Sequence, residues 1–394
     1  MNYQHLAILC TFILVYSLFT KRIEKLAISG PILYVLFGFL VGPMVLNLFD
    51  IEINDESIKT LAELALALVL FNDASKTNLN VLEHNILIPT RLLLIGLPLT
   101  IVMGIFSGWL VFQTFSWIEL AILATMLAPT DAALGKQVVT NKNVPSKIRE
   151  ALNVESGLND GICVPIIFLL IAIITAEQFT EVTISFGVSL LVQEIGIGLI
   201  VGLVITFLGD KLVRTSIKHG WIEKSWQSIF IIALAFSCFA MAQLFGGSGF
   251  IACFTGGMLF GKINKNRKLE LLKASEGSAE ILSLITWVIF GSVVVSAYLE
   301  YFTISVVIYA ILSLTLIRII PVLLSLTKTA ISFKERMFIG WFGPRGLATI
   351  VFAIMVLGVD LPNKDTIMTT AICTVLFSIL AHGFSANPLI KRLN

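Results

Sequence analysis

Runs of about 20 apolar residues, separated by short polar stretches, recur along the whole chain and leave it few ways to fold. Hydrocarbon offers no water to a backbone N–H or C=O, so a spanning segment must be a helix or part of a closed barrel. The runs are too long and continuous for barrel strands of about 10 alternating residues. Helices remain. Hydrophobic residues make up 57% of the 394 and charged ones only 13%, so lipid, together with the helices' own faces, takes up the apolar surface. A net charge of +2 is too small to suggest a nucleic-acid partner. The five cysteines stand singly in apolar runs, without the paired spacings of a metal site or a disulfide framework, and read as packing.

The runs predict an all-α polytopic membrane protein of about thirteen transmembrane helices. They lie near 6–20, 27–47, 57–72, 86–114, 117–139, 147–175, 184–209, 226–244, 247–262, 274–298, 302–326, 334–358 and 364–388. Of the 27 Lys and Arg, 23 fall on alternate connections. The opposite side keeps Lys59 and Lys364 among acids such as Asp50, Glu52, Asp55, Glu177, Glu181 and Asp360. The positive-inside rule then predicts an external N-terminus and a cytoplasmic C-terminus. The first span has no basic residues before it and is followed by Lys21 and Arg22, which argues against a cleaved signal peptide.

Ser29-Gly30-Pro31-Ile32 through Gly38, Leu40 and Gly42 can be laid on Ser248-Gly249-Phe250-Ile251 through Gly257, Leu259 and Gly261 at one constant offset. Seven spans separate the copies, so they would be inverted relative to each other, as in transporters whose substrate site lies near mid-membrane between two repeats. Span five is interrupted by Ala128-Pro129-Thr130-Asp131 and span twelve by Gly343-Pro344-Arg345-Gly346. Proline removes a backbone donor and disfavours helix at the residue before it. A break at that depth frees carbonyls on one side and N–H groups on the other, for a ligand or water to satisfy. Thr130 and Asp131 suit the cap of the second half of span five, where the helix dipole favours a carboxylate. A cap and an outer ligand are compatible roles for Asp131.

Span six carries Glu155-Ser156-Gly157-Leu158-Asn159-Asp160 inside an apolar run. Asp160 lies about 20 Å along a helix starting near Ser146, close to mid-membrane. A charge there costs at least ~3 kcal/mol unless it faces a partner or a path, so an ion or proton site is expected. Ser156 and Asp160 share one stripe of the helix, Glu155 and Asn159 another. Carboxylate, hydroxyl, amide and freed carbonyl oxygens suit hard cations, not anions. Glu155 is expected to form a buried ion pair with Arg345, since each would otherwise be alone in low dielectric. Arg318 has Glu276 or Glu280 as candidate partners. Asn72 and Asp73, at the end of span three, read either as funnel residues or as a solvated helix end. The histidines His5, His84, His219 and His382 fall at or near span ends and are given no chemistry.

Together these motifs resemble the cation/proton antiporter superfamily, specifically its NhaP-type sodium/proton antiporters with Asn-Asp in the sixth helix. The likeness runs over nearly the whole chain. It implies an NhaA-like fold of two inverted repeats with crossed discontinuous helices, and a homodimer in the inner membrane of a prokaryote. A core ion-transport part, about 57–175 and 274–394, would move against a dimerisation part, about 1–50 and 184–262. The resemblance implies Asp160 as carrier of both proton and cation. Ser156, Thr130, Asp131 and Asn159 complete the site, and a Glu155 to Arg345 pair holds the core. Many relatives have an acid followed by Gly-Gly after Leu-Phe in span three. Here Asn72-Asp73-Ala74-Ser75 stands instead, and Asp73 is the chosen counterpart.

The partners implied are membrane lipid and the transported Na+ (or Li+ or K+) and H+, with no cofactor. Competition for one carboxylate would make exchange electroneutral, since both loaded forms carry the same charge. A proton-uncoupled potassium channel or efflux system is the main rival. An organic-anion symporter would need more cationic groups than Arg345, and no His-Glu-x-x-His, facing Asp pair or Ser/His couple supports an intramembrane enzyme.

Overall fold

The computed structural model describes residues 3–25, 29–49, 56–131, 134–176, 184–265 and 267–393. Their regular structure is all helical. In chain order the helices are α1 (Tyr3–Lys25), α2 (Gly30–Val41), α3 (Glu56–Lys76), α4 (Leu79–His84), α5 (Leu87–Val111), α6 (Trp117–Met126), α7 (Lys136–Val139), α8 (Ser146–Ala176), α9 (Ile184–Lys218), α10 (Lys224–Leu244), α11 (Gly249–Ile263), α12 (Lys268–Tyr301), α13 (Ile304–Ser325), α14 (Phe333–Trp341), α15 (Leu347–Leu357) and α16 (Lys364–Leu393). Among the described residues, eight helices are long and apolar enough to cross a membrane: α1, α5, α8, α9, α10, α12, α13 and α16. Shorter apolar helices are α2, α6, α11 and α15. Asp50, Glu52, Asp55, Glu177 and Glu181, used above for orientation, lie outside the described residues.

Spans five and twelve are interrupted where the sequence predicts. The first is α6 and α7, parted by Leu127 to Asp131 and beyond; the second is α14 and α15, parted by Phe342 to Gly346. Each begins with a reciprocal capping box that satisfies two orphan N–H groups. Ser116 and Glu119 open α6, and Ser332 and Glu335 open α14. Connectivity puts these two openings at opposite ends of the bundle, because α6 starts beside the start of α16 and α14 starts beside the start of α8.

The two glycine-rich stretches are close-packing faces. A Cβ at Gly38 would collide with the Val288 carbonyl of α12, and one at Gly257 with the Phe71 carbonyl of α3. Small residues of this kind let helix backbones approach where lipid supplies no hydrophobic drive between helices. The helix α3 runs along α11 and α12 and also touches α8 and α15, so it lies between the glycine-rich helices and the broken ones. Its last carbonyls are closed by a lysine from another helix: Lys268 Nζ donates to Ser75 O at 2.9 Å and Lys76 O at 3.1 Å. The apolar core holds Phe71, Trp287, Phe290, Tyr309 and Phe352, all buried, while Phe106, Trp109, Leu110 and Trp117 face outward.

Candidate functional site

The long helix α8 passes behind both breaks and delivers one turn of polar side chains to them. Ser156 Oγ donates to Thr130 O at 2.6 Å, and Asn159 Nδ2 donates to Thr130 Oγ1 at 3.0 Å. Asp160, 2% exposed, lies one turn beyond Ser156 on the same stripe. Its Oδ1 and the Oδ1 of Asn159 are buried without a hydrogen-bond partner among the described residues. Pro165 sits one turn further along; it has no N–H to bond the carbonyl of Gly161, which loosens the helix next to Asp160.

At the crossing the two breaks exchange charges. Asp131 N–H donates to Pro344 O at 2.7 Å, joining the two main chains directly. The Asp131 carboxylate accepts from Leu134 N at 3.2 Å in its own span and from Leu347 N, the first residue of α15, at 2.7 Å. One acid therefore caps the amino ends of helical segments from both spans, where dipoles point positive. Gly346 permits this, because any Cβ there would collide with the Asp131 carboxylate. In return Arg345 Nη1 donates to Ala128 O at 2.8 Å and Pro129 O at 2.9 Å, the carbonyls freed beyond α6. Arg345 is wholly buried, so its cation lies against the negative end of that half-helix.

The expected Glu155 to Arg345 pair is not the one that forms. Arg318 of α13 grips Glu155 bidentately, Nη1 to Oε1 at 2.6 Å and Nη2 to Oε2 at 2.8 Å, with both side chains buried. A planar guanidinium matches a carboxylate through two parallel bonds, and Arg345 is already committed to the freed carbonyls. Nor does Arg318 pair with Glu276, which lies 3.1 Å from Lys76 instead.

Asp73 stands apart from the cluster. Its carboxylate is at the end of α3, 3.9 Å from Lys76, while its backbone carbonyl accepts from Asn153 Nδ2 at 3.2 Å. Asn153 is two turns before Asp160, about 10 Å along α8. The neighbouring Asn72 is the buried one, its Oδ1 accepting from Ser275 Oγ at 2.5 Å. Sequence reasoning missed two more residues. Ser378 Oγ accepts the Arg345 N–H at 2.7 Å, and His382 lies 2.8 Å from Trp341 O. A small cleft of about 10 Å³ reaches Thr130, Asp131 and Ser156 past Val138, Leu152 and Phe342. It is about large enough for one water. A larger cavity of about 260 Å³ lies away from the breaks, between Arg214, Phe230 and Arg267.

The cluster thus offers several uncharged oxygens and one carboxylate oxygen with an open valence to a small hard cation or a proton. A profile of the family described as "Sodium/hydrogen exchanger, transmembrane" matches residues 8–392. The chain belongs to the sodium/hydrogen exchanger family. Among relatives of this exchanger, the K(+)/H(+) antiporter NhaP of Alkalimonas amylolytica is 25% identical, covering 93% of this chain and 63% of its own. The Na(+)/H(+) antiporter 2 of Zygosaccharomyces rouxii is 24% identical, covering 97% of this chain and 52% of its own. The exchanger chain therefore spans between half and two thirds of the length of these curated relatives. The sodium proton antiporter MjNhaP1 from Methanocaldococcus jannaschii has the same fold, with a TM-score of 0.80 at 20% identity over 96% of this chain and 98% of that one.

Proposed function

We propose that this chain is a secondary active antiporter that exchanges Na+ (or Li+) for H+, one for one, by letting the two take turns on Asp160 with alternating access. The observation that carries the reading is the charge balance around the open oxygen of Asp160. Five ionisable side chains meet at the crossing, all buried: Asp131, Glu155, Asp160, Arg318 and Arg345. Glu155 and Arg318 cancel, and Asp131 and Arg345 each sit on helix ends of opposite polarity. Asp160 is left over as one negative charge. One proton or one monovalent cation neutralises it, both together overcharge it, and neither leaves a bare carboxylate that costs at least ~3 kcal/mol to carry through the barrier. Thr130 and Ser156 would share the cation with Asp160, Asn159 would add an amide oxygen, and Asp131 would hold Thr130's surroundings from behind. Asp73 would line the approach.

The wider architecture goes with this reading: thirteen spans in two inverted repeats, an external N-terminus, a cytoplasmic C-terminus, a homodimer in a prokaryotic inner membrane, and a core moving against a dimerisation part. Supporting the repeat, the capping-box residues Ser116 and Ser332, and Glu119 and Glu335, stand 216 residues apart. Each glutamate contacts the start of the next long helix, Asn363 or Lys147, which are also 216 apart. A second substrate reading, K+/H+ exchange, draws on the names of relatives such as the K(+)/H(+) antiporter NhaP2 of Shewanella.

The test is to add Na+, Li+ or K+ to everted vesicles holding a pH gradient, with and without a clamped membrane potential. Na+ or Li+ should collapse the gradient independently of the potential. Asp160→Asn should abolish exchange, and substantial residual activity in that variant would remove Asp160 from the carrier role. A response confined to K+ would select the second reading.

A further inference from the structure

One turn of α16 holds both sides of the break between α14 and α15. Upstream, Trp341 O, at the end of α14, lies 2.8 Å from His382 Nε2. Downstream, the Arg345 N–H donates to Ser378 Oγ at 2.7 Å. Ser378 and His382 are four residues apart on one helical stripe, and Ser378 Oγ is 3.2 Å from His382 Nδ1. His382 is 3% exposed, and the cationic side chains whose field reaches it are Arg345 and Arg318. One direction of donation satisfies every link: Arg345 N–H to Ser378 Oγ, Ser378 O–H to His382 Nδ1, His382 Nε2–H to Trp341 O. That order requires a neutral imidazole with its proton on Nε2. Nδ1 is also 2.9 Å from Ser378 O. A proton there would leave Nε2 facing the Trp341 carbonyl without a hydrogen, or would add a third cation beside two arginines.

We propose that His382 and Ser378 are positioning residues that template the break of the second broken span. They set the distance between Trp341 and Arg345 along the main chain. Through it they aim Arg345 at the Ala128 and Pro129 carbonyls and Leu347 N–H at Asp131. Neither residue touches the ion. What they govern is the shape of the oxygen cage around Thr130, and that shape matters unequally to the two visitors. A proton needs only Asp160; a cation needs several oxygens at once. Loosening the template therefore favours the proton.

The activity arm rests on the exchange reading above. Wild type, His382→Gln, His382→Phe and Ser378→Ala are compared in everted vesicles over pH and cation concentration. Gln keeps an N–H near the place of Nε2 and should hold the apparent KM for the cation within twofold. Phe keeps the ring volume without donors and should raise that KM about fivefold, which moves the acid limb of the activity profile up by about 0.7 pH unit, tenfold in affinity being one unit. Ser378→Ala should fall between them. A uniform loss of rate in the Phe variant, with KM and profile unmoved, would make His382 merely structural. A Gln variant as impaired as Phe would overturn the hydrogen-bond template. A second arm needs no transport: 15N solid-state NMR of the wild-type protein in liposomes, with His382→Gln assigning the signal. A neutral Nε2–H imidazole at pH 7 is expected, and an imidazolium or an Nδ1–H tautomer would overturn the proposal. Absence of exchange in wild type would sink the exchange reading while this arm still decides the template.

Discussion

In the first broken span the break carries an acid, Asp131; in the second it carries a base, Arg345. Each side chain serves the other span. Asp131 reaches the amino end of α15, and Arg345 reaches the carbonyls that α6 leaves open. Their entry ends differ in the same complementary way. At one end of the bundle Glu119 is buried and accepts from Asn363 N at 2.9 Å and Asn363 Nδ2 at 3.1 Å. At the other, Glu335 is partly exposed and lies 2.9 Å from Lys147 Nζ. Two spans of matching design thus use charge for different ends: at the crossing to neutralise helix dipoles, at one entry to make a screened pair, and at the other a neutral amide suffices. Similar backbone devices do not dictate similar electrostatics.

The largest effect is expected from separating the two arginines. Arg318→Ala leaves Glu155 charged, buried and alone, and should cost about 3–5 kcal/mol of stability, read as a fall in the detergent melting temperature and in folded yield. Replacing both partners, Glu155→Leu with Arg318→Met, should recover most of that loss. Arg345→Gln should cost less, about 1–2 kcal/mol, because helix-end carbonyls are dipoles and not full charges. Equal losses for Arg318→Ala and Arg345→Gln would break the division of labour drawn here.

Reciprocity at the crossing can be sharpened by a double-mutant cycle of Asp131→Asn and Arg345→Gln. Residues that share one crossing should couple by about 0.5–3 kcal/mol, whereas strictly additive melting shifts would mean that the two breaks are independent. The smallest effects belong to the entries. Glu119→Gln turns an acceptor toward buried donors and should cost about 1–3 kcal/mol at any ionic strength. Glu335→Gln should cost no more than about 1 kcal/mol, vanishing in molar salt where the screening length is about 3 Å. The same salt response in both variants would erase the contrast between the entries.

The breaks, the depth of Asp160 and the capping role of Asp131 were legible in the sequence, since proline, glycine and a carboxylate in an apolar run each act through local chemistry. The partner of Glu155 was not. Arg318 and Arg345 both stand alone in apolar spans, and only the crossing, which spends Arg345 on the carbonyls of Ala128 and Pro129, leaves Arg318 for the acid. Local pattern also favoured Asp73 over Asn72 because it is the charged one, yet α3 turns Asn72 inward and leaves Asp73 beside Lys76. His382 looked like an end residue because the apolar run stops near 388. The helix α16 continues to Leu393 and leaves that histidine enclosed.

The main-chain bond from Asp131 to Pro344, locked by the absence of a side chain at Gly346, acts as a rivet through the point where two strands of the path meet. A riveted joint transmits torque but does not open like scissors. Rocking of the whole riveted block against the seam formed by α3 and α11 is then the cheaper way to turn the carboxylate of Asp160 from one aqueous side to the other. A Gly346→Ala substitution would strike that joint more directly than any change in the ligands themselves.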